Sequence, residues 1–86
     1  MLRAQVMGRI TSEPFLKNDY LKFDVVDSIS HQIVQVSCRG AIKEAVQEKC
    51  CMGILIGASG HIRIRIHNEI PKICMLANQV ELIKGE

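Results

Sequence analysis

Apolar residues recur at every second position along most of this chain, and the spacing changes to that of a helix only once, between Ala41 and Cys50. A two-residue period marks half-buried strands, which bury one face and wet the other. The first such run, about Leu2 to Ile10, sets Leu2, Ala4, Val6 and Gly8 against Arg3, Gln5, Met7 and Arg9. Pro14 then bars a central strand, and Lys17, Asn18 and Asp19 supply a turn. A second strand, Tyr20 to Val26, groups Leu21, Phe23 and Val25 and leaves Lys22 and Asp24 facing away. A third, Gln32 to Arg39, turns Val34, Val36 and Cys38 inward, with Ile33, Gln35, Ser37 and Arg39 on the other face.

The stretch "AIKEAVQEKC" carries Ile42, Ala45, Val46 and Cys50 at helical spacing, with Lys43, Glu44, Gln47 and Glu48 on the wet side. Gly53 closes that connection, and "ILIGASGHIRIRI" returns to strand character. Ile62, Ile64 and Ile66 share one face there; His61, Arg63 and Arg65, with His67 next in line, share the other. "NEIPK" turns the chain into a last strand, "ICMLANQVELI". Three strands, one helix and two strands, with no linker, repeat or low-complexity segment, predict a single all-β domain over residues 1–86. A five-stranded barrel with one helix between strands 3 and 4 is the oligonucleotide/oligosaccharide-binding fold (OB-fold), whose partly open Greek-key sheet presents a binding face. Closure also removes the exposed edges through which a small sheet would aggregate.

The formal charge of +2, from eleven Lys/Arg against nine Asp/Glu, is too mild to indicate a polyanionic partner unless the basic residues cluster. No apolar run approaches the roughly twenty residues of a membrane span, and "MLRAQ" has no signal-peptide core, so a soluble cytoplasmic protein without membrane association is expected. Adjacent Cys50 and Cys51 suit neither a disulfide framework nor a C-x-x-C zinc knuckle. Cys38 and Cys74 fall within apolar strand patterns and read as small hydrophobes, reduced as in the cytoplasm. His31, His61 and His67 stand at no zinc spacing, so neither metal nor cofactor is expected. "GILIGASG" lacks the Gly-Lys-Ser/Thr ending of a nucleotide-binding loop; its glycines read as small residues where a barrel strand bends. Glu13, Glu44, Glu48 and Glu81 read as surface charge, and nothing in the spacing suggests an enzyme.

"GRITSEPFLK" resembles the opening of bacterial single-stranded-DNA-binding proteins. From Ile33 to His67 the chain follows that family's pattern without a gap, through Gly40, the helix, and Gly53 and Gly60 held seven apart with Ile62 behind. The ending "ANQVELI" is similar to the family's last strand, and the offshoot primosomal replication protein N shares the layout. The resemblance implies binding of single-stranded DNA, with RNA left open, in replication, recombination or repair. It also implies a homodimer or homotetramer, often assembled through the first strand, and replication or primosome proteins as partners. Gly8 would bend the first strand at a barrel corner. The chain ends at "ELIKGE" just after the last strand, so the family's acidic recruiting tail is expected to be missing, and "NEIPK" is short where the family often extends a long hairpin.

Single-strand binding without sequence preference needs a basic groove for the phosphates and flat side chains for the bases. Arg39, Arg63 and Arg65 share outward parity and are expected to meet phosphate or stack on bases, while Arg3, Arg9, Lys17 and Lys22 steer the strand. Positions where the family commonly carries stacking aromatics read Ile33, Arg39 and His67. A guanidinium and an imidazole can still stack, whereas Ile33 can only press apolar surface on a sugar or base edge. Each missing aromatic platform removes ~1–3 kcal/mol of binding. With Gln35, Ala41 and Met52 neutral where the family is often basic, the expectation is weaker, more electrostatic binding. Two alternatives stand beside it. The arginines could be an ordinary solvated strand face, and the poverty of aromatics also fits a protein-interaction barrel that has lost DNA binding. Met7 and Ile33, apolar on faces that should be wet, fit a subunit interface as well as a ligand site.

Overall fold

The computed structural model describes residues 2–84. It contains β1 (Leu2–Ile10), β2 (Phe15–Lys17), β3 (Tyr20–Asp27), β4 (Ile33–Cys38), α1 (Gly40–Val46), β5 (Leu55–His67) and β6 (Ile70–Lys84). The sheet runs β1-β5-β6-β4-β3-β2, and β1 returns to pair with β3. β1, β3, β4, β5 and β6 therefore close into the expected five-stranded barrel, with α1 between its third and fourth strands. The β4–β6 pair is parallel and the remaining pairs are antiparallel.

Closure depends on Gly8. It faces Ile56 of β5 on one side and Asp27 of β3 on the other. A Cβ there would lie 1.8 Å from the Val26 carbonyl oxygen, so only glycine lets β1 cross from one neighbour to the next. The barrel interior is filled by the inward residues of each strand; Phe23, Ile10, Ile56, Met75, Val25, Val36 and Cys38 are fully buried. Val46 of α1 joins this core, with Ile42 packed against it.

A bulge on β6 changes which residues point inward. Ser59 faces Gln79 but Gly60 faces Ala77, leaving Asn78 as the extra residue. Met75 and Ala77 are buried before it, and Val80 and Leu82 pack on the core after it. A Cβ on Gly60 would lie 2.1 Å from the Leu76 carbonyl oxygen, so the close strand approach at this bend also requires glycine.

Both tight hairpins turn on residue pairs at positive φ: Asn18 and Asp19 (51° and 67°) between β2 and β3, Asn68 and Glu69 (51° and 65°) between β5 and β6. Left-handed geometry at two consecutive residues matches the twist of the flanking strands. Several boundaries differ from the sequence reading. Phe15–Lys17 forms a short extra strand beside β3. The β5–β6 turn is the pair Asn68–Glu69 alone, and Ile70, Pro71 and Lys72 already belong to β6. Pro71 is tolerated because β6 pairs with β4 only from Ile73 onward, which leaves the Pro71 edge open. The α-helix stops at Val46 rather than Cys50, because its last turn tightens as the Lys49 N–H donates to the Val46 carbonyl. Cys50 is buried all the same. Among the described residues no helix is long and apolar enough to cross a membrane. The terminal Gly85 and Glu86 of "ELIKGE", on which the reading of a missing tail falls, lie outside the described residues.

Candidate nucleic-acid interface

The outward residues of β3, β4, β6 and the distal half of β5 converge on one cavity of about 540 Å3. Leu21 is buried, so Tyr20 and Lys22 face out; Val34 and Val36 are buried, so Gln35 and Ser37 do. Lys22 lies opposite Ser37, and Ser37 opposite Leu76. Arg63 lies opposite Cys74 and Arg65 opposite Lys72 on the β5–β6 hairpin. Lys22, Arg63 and Arg65 line the cavity with Tyr20 and His61, and no carboxylate is among its lining residues. Asp24, next along the β3 row and opposite Gln35, is not part of that lining.

Three of the nine sequence-nominated residues thus share a cavity. Arg39, just before α1, holds its guanidinium 5.5 Å from the centroid of the Tyr20 ring, which places it at the cavity margin. Arg3 lies opposite His61 on β1, and Lys17 opposite Tyr20 on β2, each beside a lining residue. His67 ends β5 opposite Ile70 at the exposed hairpin tip, on the same face as Arg63 and Arg65. Ile33 opens the outward row of β4 and is exposed opposite Val26. Arg9 sits apart from the others. Its guanidinium donates a 2.7 Å hydrogen bond to the Gly53 carbonyl, tying β1 to the loop before β5.

The sequence reading missed Tyr20 and His61 as lining residues. The available signal was the outward parity of Tyr20 with Lys22 and of His61 with Arg63. Cys74, expected as a small hydrophobe within an apolar strand pattern, is only half-buried and lines the cavity, its Sγ 4.0 Å from Gln35 Oε1. The reason is parity: Met75, not Cys74, points into the barrel. His61 Nδ1 is buried without a hydrogen-bond partner. Cys38 and Cys50 are buried free thiols; burial, then neighbouring Cys38 and Cys51, push the Cys50 thiol up to about 12. Among the described residues no group of three or more His, Cys, Asp or Glu is gathered as a metal site.

A second cavity of about 370 Å3 lies over the proximal half of the same hairpin. Gln5, Met7, Gly57, Ser59, Gln79, Glu81 and the Asp27–Ile29 loop line it, with two carboxylates and no Lys or Arg. Asp27 organises that loop: its Oδ2 accepts from the Ile29 and Ser30 N–H groups at 3.2 and 2.9 Å, and its Oδ1 from Met7 N–H at 3.3 Å. These donors, Ser30 foremost, hold its carboxyl below the usual carboxylate range.

No family model and no curated protein matches the sequence. Solved structures do. The mitochondrial single-stranded-DNA-binding protein Rim1 of S. cerevisiae superposes with a TM-score of 0.79 at 15% identity, over 98% of this chain and 96% of that one. The second single-stranded-DNA-binding protein (SSBb) of Mycobacterium smegmatis gives 0.80 at 22% identity, over 95% and 86%. The dimeric N-terminal domain of PriB from Thermoanaerobacter tencongensis gives 0.72 at 10% identity, over 95% and 96%. What this chain shares with all of them is the fold, an OB-fold barrel with its helix between the third and fourth barrel strands.

Proposed function

We propose that this chain is a non-catalytic protein that binds single-stranded nucleic acid, DNA in the first place, along the groove lined by Lys22, Arg63 and Arg65. The observation that carries the reading is the composition of that groove: three cations, an aromatic ring and no carboxylate. A backbone phosphate every few ångströms meets fixed positive charge there, while bases meet the apolar sides of Ile62 and Leu76. The fold shared with single-stranded-DNA-binding proteins and PriB supports a role in replication, recombination or repair in the cytoplasm, or as a primosome accessory. Assembly into a homodimer or homotetramer is supported by β1. It pairs with β5 over Leu2–Arg9 but with β3 only over Gly8–Ile10, so the edge before Met7 is open to another strand.

The test is a titration of a fluorescent poly-pyrimidine oligonucleotide at low and high salt, with oligomer mass measured in parallel. Binding at micromolar protein should weaken with salt by roughly 0.7 of a power per phosphate neutralised. Absence of salt-sensitive binding abandons this reading. It would favour the interaction barrel, for which the exposed Ile64, Ile66 and Ile70 (65%, 76% and 66% exposed) on the hairpin supply an apolar surface.

A further inference from the structure

Tyr20 is the chain's one tyrosine, and there is no tryptophan. It opens β3 with outward parity, so its ring contributes nothing to the core of Leu21, Phe23 and Val25 behind it. The Asn18–Asp19 turn sets the register of the β2–β3 hairpin, placing Lys17 opposite Tyr20 and Phe15 opposite Lys22. Directly opposed residues on antiparallel strands share a face. Phe15, Lys17, Tyr20 and Lys22 therefore form one outer patch in which aromatic rings and cations interleave, and its inner end is the wall of the cationic cavity.

Two cations lie over the ring, each on a flexible side chain that can swing aside to a phosphate and yield the face to a base. The Arg39 guanidinium lies 5.5 Å and the Lys22 ammonium 6.0 Å from its centroid, near the outer limit of a cation–π contact. Cations at that range keep the ring in place and still have reach for a phosphate on either side of it. A planar base entering the cavity meets its broadest flat surface at this ring, beside the smaller planes of His61, Arg63 and Arg65.

We propose that Tyr20 is the base-stacking platform of the groove, set between Arg39 and Lys22, which take the flanking phosphates. The proposal rests on the reading of the groove as a single-strand site and adds the residue that receives a base. It also changes the expected balance of binding: part of the affinity comes from the base, not only from the backbone charge. A stack is sequence-tolerant, because every base offers a π-face.

Two oligonucleotides of equal length and charge separate these contributions, one of thymidines and one of abasic sugar-phosphate. With the wild-type protein, the thymidine oligonucleotide should bind more tightly and quench the tyrosine emission, which has a single source; the abasic one should bind without comparable quenching. Tyr20→Ala should lose roughly tenfold in affinity for the thymidine oligonucleotide and nothing for the abasic one. Tyr20→Phe, which keeps the ring, should retain the wild-type preference. Circular dichroism establishes that each variant is folded; should Tyr20→Ala not be, the wild-type quenching and Tyr20→Phe affinities decide. An unchanged tyrosine signal with thymidine bound, or equal losses for both oligonucleotides, overturns the platform while leaving the electrostatic groove standing. Failure of both oligonucleotides to bind the wild-type protein at low salt overturns the groove and the platform together.

Discussion

The two halves of the β5–β6 hairpin face two cavities of opposite character. Residues 57–59 of β5, with Gln79 and Glu81 of β6, share theirs with Asp27 and contribute no cation. Residues 61–63 and Arg65 of β5, with Cys74–Leu76 of β6, share theirs with Lys22 and contribute no carboxylate. The strands are the same and so is the alternation; what separates the two is the bulge at Asn78 and the close approach at Gly60. A net charge of +2 hides this arrangement, since it averages an acidic groove with a basic one. Charge placement, rather than charge excess, distinguishes the face offered to a polyanion from the face that would repel it.

The severest way to break the contrast is to remove the bend that creates it. Gly60→Ala places a Cβ 2.1 Å from a backbone oxygen, and Gly8→Ala one at 1.8 Å, so each should cost about 3 kcal/mol or more of folding stability. Gly57→Ala, whose Cβ would meet only the Ile83 side chain at 3.7 Å, should be tolerated. Denaturant unfolding of the three variants checks this, and equal stability of all three would show that barrel closure does not depend on those approaches. Next in size is reversal of the basic groove. The double change Arg63→Glu and Arg65→Glu should weaken single-strand binding on the order of 100-fold by fluorescence anisotropy, while Glu81→Gln in the acidic groove should leave it unchanged. A similar loss in both would erase the distinction between the grooves.

A smaller effect sharpens the boundary of the basic face. Arg39→Ala should weaken binding several-fold and lower the salt slope by roughly 0.7. Arg9→Ala should leave the slope alone and lower the melting temperature instead, because the Arg9 guanidinium is engaged with the Gly53 carbonyl. The smallest effect concerns the acidic groove. The Asp27 carboxyl is held below its ordinary value by Ser30, Met7 and Ile29 N–H groups, so it binds protons less readily folded than unfolded. Its contribution is present above its unfolded value of ~4 and is lost as pH falls through the folded one. Asp27→Asn should therefore flatten part of the decline in melting temperature between about pH 5 and pH 2, with oligonucleotide binding at neutral pH unaffected.

The strands, their faces and the barrel were legible because a period of two is written directly in Val34, Val36, Cys38 and in Ile62, Arg63, Ile64. The hairpin tip was not. Ile64 and Ile66 continue the inward parity of Ile62 yet stand in the open, because β5 runs on past its pairing with the described residues of β1, which ends at Leu2 opposite Ile62. Parity grouped Arg39 with Arg63 and Arg65, and the structure sets Arg63 and Arg65 in one cavity with Lys22 and leaves Arg39 at its margin; parity could not distinguish Arg9, whose partner comes from a loop far along the chain. Tyr20 was illegible for the converse reason: the resemblance marks Ile33, Arg39 and His67 as the stacking positions, and the ring present stands elsewhere.

The amino-acid order alone determined the elements and which side of each strand is buried, since side-chain alternation and helical spacing are local properties of consecutive residues. Only the tertiary structure decided which outward residues become neighbours. That depends on strand register, on the parallel β4–β6 pairing and on one extra residue at Asn78, all set by contacts between segments distant in the chain. Two grooves of opposite charge on one hairpin follow from those contacts, because a bend at a bulge rotates the strands without altering a single residue's identity.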